Sequence, residues 1–283
     1  MTAIPLFGLV AGIHQVTPGV VAMSMYEGFF ARFYSTTVGY QRADVDWFSR
    51  HVGESFSDVL DLCGGSGRLA RGIVLPGSSA LVVDTAPDML AQAPLDESRK
   101  IEFLRADVFQ LSLGRGFDLV VCGGLALPMF SSRQRVELLR VATSHLRPGG
   151  RVLFDYLPLG EGEVEVTHHM VLPVLDGSPG FILAGVQRDP AAKVQRTNLL
   201  AEFDRDGGRT VRLVTGHELA VISDGEMTNE LDAAGLTALH QHDHLPVPGG
   251  SPLAWPLRFV SAAKKEDLSE GPPPCGRRGR SGP

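Results

Sequence analysis

The chain reads as a doubly wound α/β protein. The expected sheet is mostly parallel and seven-stranded, with an antiparallel closing strand and an antiparallel β insertion after the fifth strand. Three observations predict this. Short runs rich in Val, Leu and Phe alternate with helix-period patterns from residue 59 to 157. A cluster of glycines follows the first of those runs. The alternation stops over residues 161–217 and resumes after them.

In chain order, residues 20–52 carry Phe30, Phe33 and Tyr34, then Val45 and Phe48, at helical spacings, which predicts a packed amphipathic helix pair. "DVLDLC" (58–63) is the first strand and "RLARGIVL" (68–75) the helix beyond the glycines. "SALVVD" (79–84) is the second strand, followed by a helix near "APDMLAQA" (86–93). "IEFLRAD" (101–107) and "FDLVVCGG" (117–124) are the third and fourth strands, and "SRQRVELLRVATSHL" (132–146) is a helix. "RPGG" (147–150) is a turn, and "RVLFDYL" (151–157) is the fifth strand.

Residues 161–217 read as antiparallel strands with a hairpin around "DRDGGR" (204–209). They form a lid over one edge of the sheet. "SDGEMTNELDAAGL" (223–236) is a helix capped by Ser223 or Asp224 with support from Glu226, and Gly235 stands where a C-terminal glycine belongs. "TALHQHDHL" (237–245) and "LRFVSAAKK" (257–265) are the closing strands. The chain therefore divides into an N-terminal helical segment (1–52), a core (53–160 and 218–265), the insertion (161–217) and a tail (266–283) too poor in apolar residues to order itself.

With 283 residues, 43% of them hydrophobic, the chain can bury a large core. A net charge of −6 supplies no basic field for a nucleic-acid backbone. Cys63, Cys122 and Cys275 lie far apart with no paired spacing, which fits a reducing cytoplasm without disulfides or a structural metal. The N-terminal apolar run is interrupted by Pro5, Gly8, Gly12 and Pro18 and is too short to cross a bilayer, so no membrane role is expected.

The informative stretch is "VLDLCGGSGRLA" (59–70). Glycines at the carboxyl end of a strand let a ligand approach the backbone, and the next helix offers free N–H groups. A bare structural turn, a dinucleotide site and a site for another adenosine cofactor all fit. Gly65-Ser-Gly67-Arg-Leu-Ala70 even matches the loose dinucleotide fingerprint. Three features oppose a nicotinamide enzyme. Asp61 puts a carboxylate inside the first strand, where an ammonium group would be the natural partner. Asp107 makes the end of the third strand acidic as well. None of Tyr26, Tyr34, Tyr40 or Tyr156 has Lys four residues on.

The run "VLDLCGGSGRLA", "LVVDTAPDML", "IEFLRADVFQL", "FDLVVCGGLAL" and "HLRPGGRVLFDY" resembles the class I S-adenosylmethionine-dependent methyltransferases, in order and spacing, over roughly residues 30–265. The N-terminal helix, the insertion and the closing strand pair are similar to those of small-molecule, natural-product methyltransferases. The resemblance implies S-adenosylmethionine as cofactor. Asp61, with the backbone at Cys63 and Gly65, would face its methionine end. Asp84 would hold the ribose hydroxyls, and Thr85 and Met89 would flank the adenine or ribose. Asp107 and the Val108 N–H would take the adenine edge. Cys122 and Gly123 would meet the amino-acid end. Tyr34, with Tyr26 behind it, would be the aromatic lid. Cys63 departs from the family, which has Gly there; a negative φ at that residue would make it tolerable.

The implied reaction is in-line methyl transfer to an amine of a small molecule or peptide, with O-methylation or cofactor binding without catalysis as alternatives. A hydroxyl acceptor needs a base, and a neutral amine only a route for its proton. His169 and His217 are base candidates, and Tyr156 is a candidate for the acceptor pocket wall. His168 and His169 face opposite sides of any strand, so at most one serves. His240, His242 and His244 share a strand face and read as a solvated strand end with no metal. The oligomeric state is open.

Overall fold

The computed structural model describes residues 19–39, 43–52, 56–94, 100–174, 179–205, 208–244 and 256–269. Cys275 and most of the expected disordered tail lie outside these residues. The chain is helical over Lys265–Ser269 (the last helix, α7), at the point where disorder was expected to begin.

Five parallel strands form the centre, in the order β4 (Lys100–Arg105), β3 (Ser79–Asp84), β2 (Asp58–Leu62), β5 (Phe117–Cys122), β6 (Leu146–Pro158). β12 (Leu257–Lys264) adds antiparallel to β6, and β11 (Leu236–His244) antiparallel to β12. The seven-stranded sheet expected from the sequence is therefore present. "RPGG" is part of β6 and not a separate turn, and the β5–β6 register shifts across it.

Both faces of this sheet are covered, as near-continuous apolar strands require. Leu60, Leu62, Val120, Phe154 and Tyr156 point toward α5 (Ser132–Ser144) and α6 (Asp224–Ala233). Val59, Val82, Val121 and Leu153 point the other way, toward α2 (Ala43–His51) and α3 (Arg68–Ile73). Strand alternation then dictates two facts about the site. Asp61 shares the face of Val59 and lies under α3. Asp155 shares the face of Leu153, while its neighbour Tyr156 goes with Phe154.

The insertion is a four-stranded antiparallel meander of β7 (Val166–Pro173), β8 (Gly180–Asp189), β9 (Val194–Arg205) and β10 (Arg209–Ile222). It runs past residue 217, where the sequence reading closed it. Val221 and Ile222 pair in parallel with Leu157 and Pro158 of β6, so the insertion is hydrogen-bonded to the core sheet. A short strand, β1 (Val20–Ala22), pairs with Arg212–Val214, where the sequence predicted helix.

Helix α1 (Gly28–Gly39) ties the two halves together. Phe29, Phe30 and Phe33 bury against Ile182, Ala184, Leu199, Ala201, Phe203 and Leu213 of the insertion, with Phe29 stacked on Phe203 at 4.7 Å. Each buried phenylalanine contributes about 1.5–3 kcal/mol. The start of α1 is fixed to the core by the Gly28 N–H, which donates to Asp88 Oδ2 at 2.7 Å. Asp88 lies in the single turn α4 (Pro87–Leu90).

Candidate functional site

The carboxyl ends of β2, β3, β5 and β6 meet beneath α1. The glycine turn after β2 bends sharply: Cys63, Gly65 and Gly67 have φ of +55°, +55° and +71°. Its Gly64 N–H donates to Val83 O at 3.2 Å, and its Gly67 N–H donates to Gly64 O at 2.9 Å. A Cβ at Gly64 would lie 2.6 Å from Asp61 Cγ, and one at Gly65 would lie 2.9 Å from Met89 Cε. Close packing requires glycine at Gly64, and the left-handed φ favours it at Gly65. Cys63 contradicts the expectation of a negative φ. A non-glycine residue in this left-handed region costs about 1–2 kcal/mol.

Asp61 is buried. Its Oδ2 accepts the Ala70 N–H at 3.3 Å, and its Oδ1 has no hydrogen-bond partner among the described residues. Burial pushes its pKa up to about 7, against the pull of the Ala70 N–H and Arg68. Asp84 at the end of β3 accepts the Gly65 N–H at 2.9 Å on Oδ2 and the Ala86 N–H at 2.8 Å on Oδ1. Burial raises its pKa, and these N–H groups lower it. Thr85 is exposed, and its carbonyl accepts from Arg105. Met89 is buried, with its sulfur 3.9 Å from Ser35 Oγ of α1.

Asp107 is exposed and caps the short turn Val108–Gln110 through the Phe109 N–H at 3.0 Å. The side chains of Val108 and Cys122 are buried in the core, which leaves them only backbone groups to offer. Gly123 is needed for packing: a Cβ there would lie 2.5 Å from Leu69 Cδ1 and 2.8 Å from Phe48 Cε2. Tyr34 reaches over this strand end, its hydroxyl 3.5 Å from the Gly124 carbonyl, and its ring meets Tyr26 edge-on at 5.6 Å. Burial pushes the Tyr34 hydroxyl up to about 12.

Two of the three residues proposed for chemistry are displaced. Tyr156 is fully buried on the α6 side, its hydroxyl donating to Asp224 at 3.2 Å, so it does not line an acceptor pocket. His169 is exposed and sits on the outer face of the insertion sheet, across from Gly185; the inner-face neighbour is His168, across from Val186. His217 does lie on the inner face, with Leu213 and Thr215, on the side that packs against α1. Its Nδ1 is buried without a hydrogen-bond partner, and burial pushes its pKa down to about 4. Thr215 Oγ1 and Gln195 Oε1 on the same face are buried and unpartnered too. The turn Leu127–Met129 packs against β10.

Sequence reasoning missed two groups. Asp155 accepts the Gly124 N–H at 2.9 Å and the Leu125 N–H at 2.7 Å. Asp44 of α2 pairs with Arg68 at the start of α3, a bidentate contact with one N–O distance of 2.9 Å. Among the described residues no group of three or more His, Cys, Asp or Glu side chains could hold a metal, and no helix is long and apolar enough to cross a membrane.

The profile of the methyltransferase-domain family matches residues 59–150. An acetylserotonin O-methyltransferase of Mus musculus is 37% identical over 128 residues, covering 41% of this chain and 32% of its own length. The chain thus spans about a third of the curated relatives it matches. A solved S-adenosylmethionine-dependent methyltransferase of Clostridium acetobutylicum superposes with a TM-score of 0.65 at 19% identity, covering 84% of this chain and 99% of that one. A sugar N-methyltransferase of Streptoalloteichus superposes with a TM-score of 0.62 at 22% identity, covering 83% and 92%. An amino pentose methyltransferase of Micromonospora echinaspora, solved with S-adenosylmethionine bound, does so with a TM-score of 0.62 at 15% identity, covering 83% and 98%. Residues 59–150 match the methyltransferase-domain family, and the chain shares the doubly wound fold of these solved S-adenosylmethionine-dependent methyltransferases.

Proposed function

We propose that the protein binds S-adenosylmethionine at the glycine turn and transfers its methyl group to an amine of a small molecule or peptide in natural-product biosynthesis. One observation carries the cofactor reading. A buried carboxylate oxygen, Asp61 Oδ1, stands without a hydrogen-bond partner among the described residues, beside the left-handed glycine turn. Such an oxygen calls for a cation, and the methionine ammonium is one. The residues around it fit the rest of the molecule. Asp84 has lone pairs left for ribose hydroxyls beyond the two N–H groups it accepts. Asp107 and the Val108 backbone would take the adenine edge, with Thr85 and Met89 beside it. Gly65, Cys63, Cys122 and Gly123 would supply backbone contacts along the methionine end, and Tyr34 would cover it.

When bound, the cofactor supplies an activated sulfonium methyl. The chain has only to align the acceptor and exclude water. The state of His217 supports an amine acceptor. An imidazole held neutral down to about pH 4 can orient an amine through its lone pair, but it is a weak base for a hydroxyl. Names among the structural relatives point the same way, including the sugar N-methyltransferase and a glycopeptide N-methyltransferase.

O-methylation is the second reading, favoured by the matched region of the acetylserotonin enzyme. Incubating the protein with S-adenosylmethionine and paired acceptors, an amino sugar and its hydroxy counterpart, tests the choice. Mass spectrometry should find the added methyl on nitrogen. Methylation of the hydroxy compound alone would replace the amine reading. S-adenosylhomocysteine binding without turnover of either compound would favour a cofactor-binding protein.

A further inference from the structure

Asp155 is a fully buried carboxylate that the cofactor contacts above do not use. Both of its oxygens are committed to one loop, at 2.9 Å to the Gly124 N–H and 2.7 Å to the Leu125 N–H. That loop follows β5 and is strained. Gly124 and Leu125 have φ of +69° and +62°, and the second is a branched residue for which this region is costly. Two consecutive left-handed residues need something to hold them, and the carboxylate spans both N–H groups. The Gly124 carbonyl then faces the Tyr34 hydroxyl at 3.5 Å. A single side chain on β6 therefore fixes the wall at the end of β5 and the contact that brings α1 down onto it.

The other charged and titratable groups around Asp155 are Arg68 on α3, Asp44 on α2, Tyr34 on α1 and the Cys122 thiol on β5. Arg68 is paired with Asp44, and its charge pulls the Asp155 pKa down against the rise from burial. The backbone N–H groups are the carboxylate's hydrogen-bonding partners. This is the arrangement of a positioning residue and not of a core ion pair.

We propose that Asp155 is the positioning residue for the methionine end of the cofactor, acting through Gly124 and Leu125 and, by way of the Gly124 carbonyl, through Tyr34. The inference rests on the cofactor reading above. It predicts an effect confined to one end of the ligand, which a general loss of stability would not give.

The test is calorimetric titration of the full chain with two ligands, above about pH 7 where Asp155 is ionised. S-adenosylhomocysteine carries the amino-acid end, and 5′-methylthioadenosine lacks it. Asp155→Asn keeps the volume and one acceptor but sets an NH₂ against the second N–H. It should weaken S-adenosylhomocysteine about ten-fold, the scale of one charged hydrogen bond. Binding of 5′-methylthioadenosine should change by less than about two-fold. Tyr34→Phe, which keeps the ring, should weaken only S-adenosylhomocysteine as well. In that background the Asp155→Asn penalty should shrink, because both groups hydrogen-bond Gly124. Equal losses for both ligands, or no loss for S-adenosylhomocysteine, would overturn the inference. Should Asp155→Asn fail to fold, Tyr34→Phe alone decides, and unchanged discrimination between the ligands would overturn it. A wild-type protein that binds neither ligand would remove the cofactor reading and the inference together. A wild-type protein that binds both, with neither variant altering the ratio, would remove the inference alone.

Discussion

The glycine-turn site and the inner face of the insertion sheet treat their polar groups in opposite ways. At the glycine turn almost every polar side-chain atom is engaged. Asp84 holds Gly65 and Ala86, Asp155 holds Gly124 and Leu125, and Asp44 holds Arg68. Among the described residues there, only Asp61 Oδ1 is a buried side-chain atom without a partner. On the insertion face Gln195 Oε1, Thr215 Oγ1 and His217 Nδ1 are buried and unpartnered together. A site whose polar atoms are already engaged, save one buried oxygen, is preorganised for a narrow range of ligands. A face with several unsatisfied groups loses stability until an acceptor or water fills it. The first kind of site can be shared by many proteins, and the second kind is where one protein differs from another.

The comparison can be broken most easily at Asp84. Asp84→Ala removes the proposed ribose acceptor and the two turn contacts, so S-adenosylhomocysteine affinity should fall at least ten- to a hundred-fold. An unchanged dissociation constant by calorimetry would defeat the ribose assignment. The two buried acids give the next effect. Burial holds Asp61 and Asp155 protonated up to about pH 7 in the folded chain, while the unfolded chain loses these protons near pH 4. Raised carboxyl pKa values mean that the folded state binds more protons between those limits. Stability then falls as pH rises toward about 7 and levels off above it. His217, depressed to about 4, works in the opposite sense but only below its ordinary value of 6.5. Between pH 6 and 7.5 the net loss should be about 2 kcal/mol, a drop of a few degrees in Tm without ligand. S-adenosylhomocysteine should flatten the profile, because its ammonium keeps Asp61 ionised. A flat profile without ligand would contradict both burials.

The insertion face predicts a gain instead of a loss. Thr215→Val replaces an unpartnered buried hydroxyl with a methyl and should raise stability by about 1 kcal/mol while lowering turnover. A fall in Tm would mean that the hydroxyl already has a partner. The smallest effect is at Cys63. Glycine there relieves the left-handed strain, offset by lost thiol packing, so Cys63→Gly should raise Tm by a degree or two. Destabilisation would show that the thiol packing outweighs the strain.

The parallel core was legible because each strand is a local apolar run and each helix a local periodic one. Asp84 and Asp107 were legible because they end such runs beside turns, and Asp61 because it interrupts one. Asp155 also interrupts a run, but the N–H groups that give it meaning lie about thirty residues away, and no local pattern points to them. Alternation alone would have separated Asp155 from Tyr156, since Leu153 and Phe154 already take opposite faces. Choosing His169 over His168 needed the hairpin register, and a slip of one residue reverses which side chain faces in. β1 was invisible for the same reason, because its partners at Arg212–Val214 are about 190 residues on.

The central claim is that the turn around Asp61 is shaped for a methionine-bearing adenosine. Isothermal titration with S-adenosylhomocysteine, with NAD as the control, tests it directly. Micromolar binding of the first and none of the second is the expected result. Binding of NAD alone, or of neither, would contradict it.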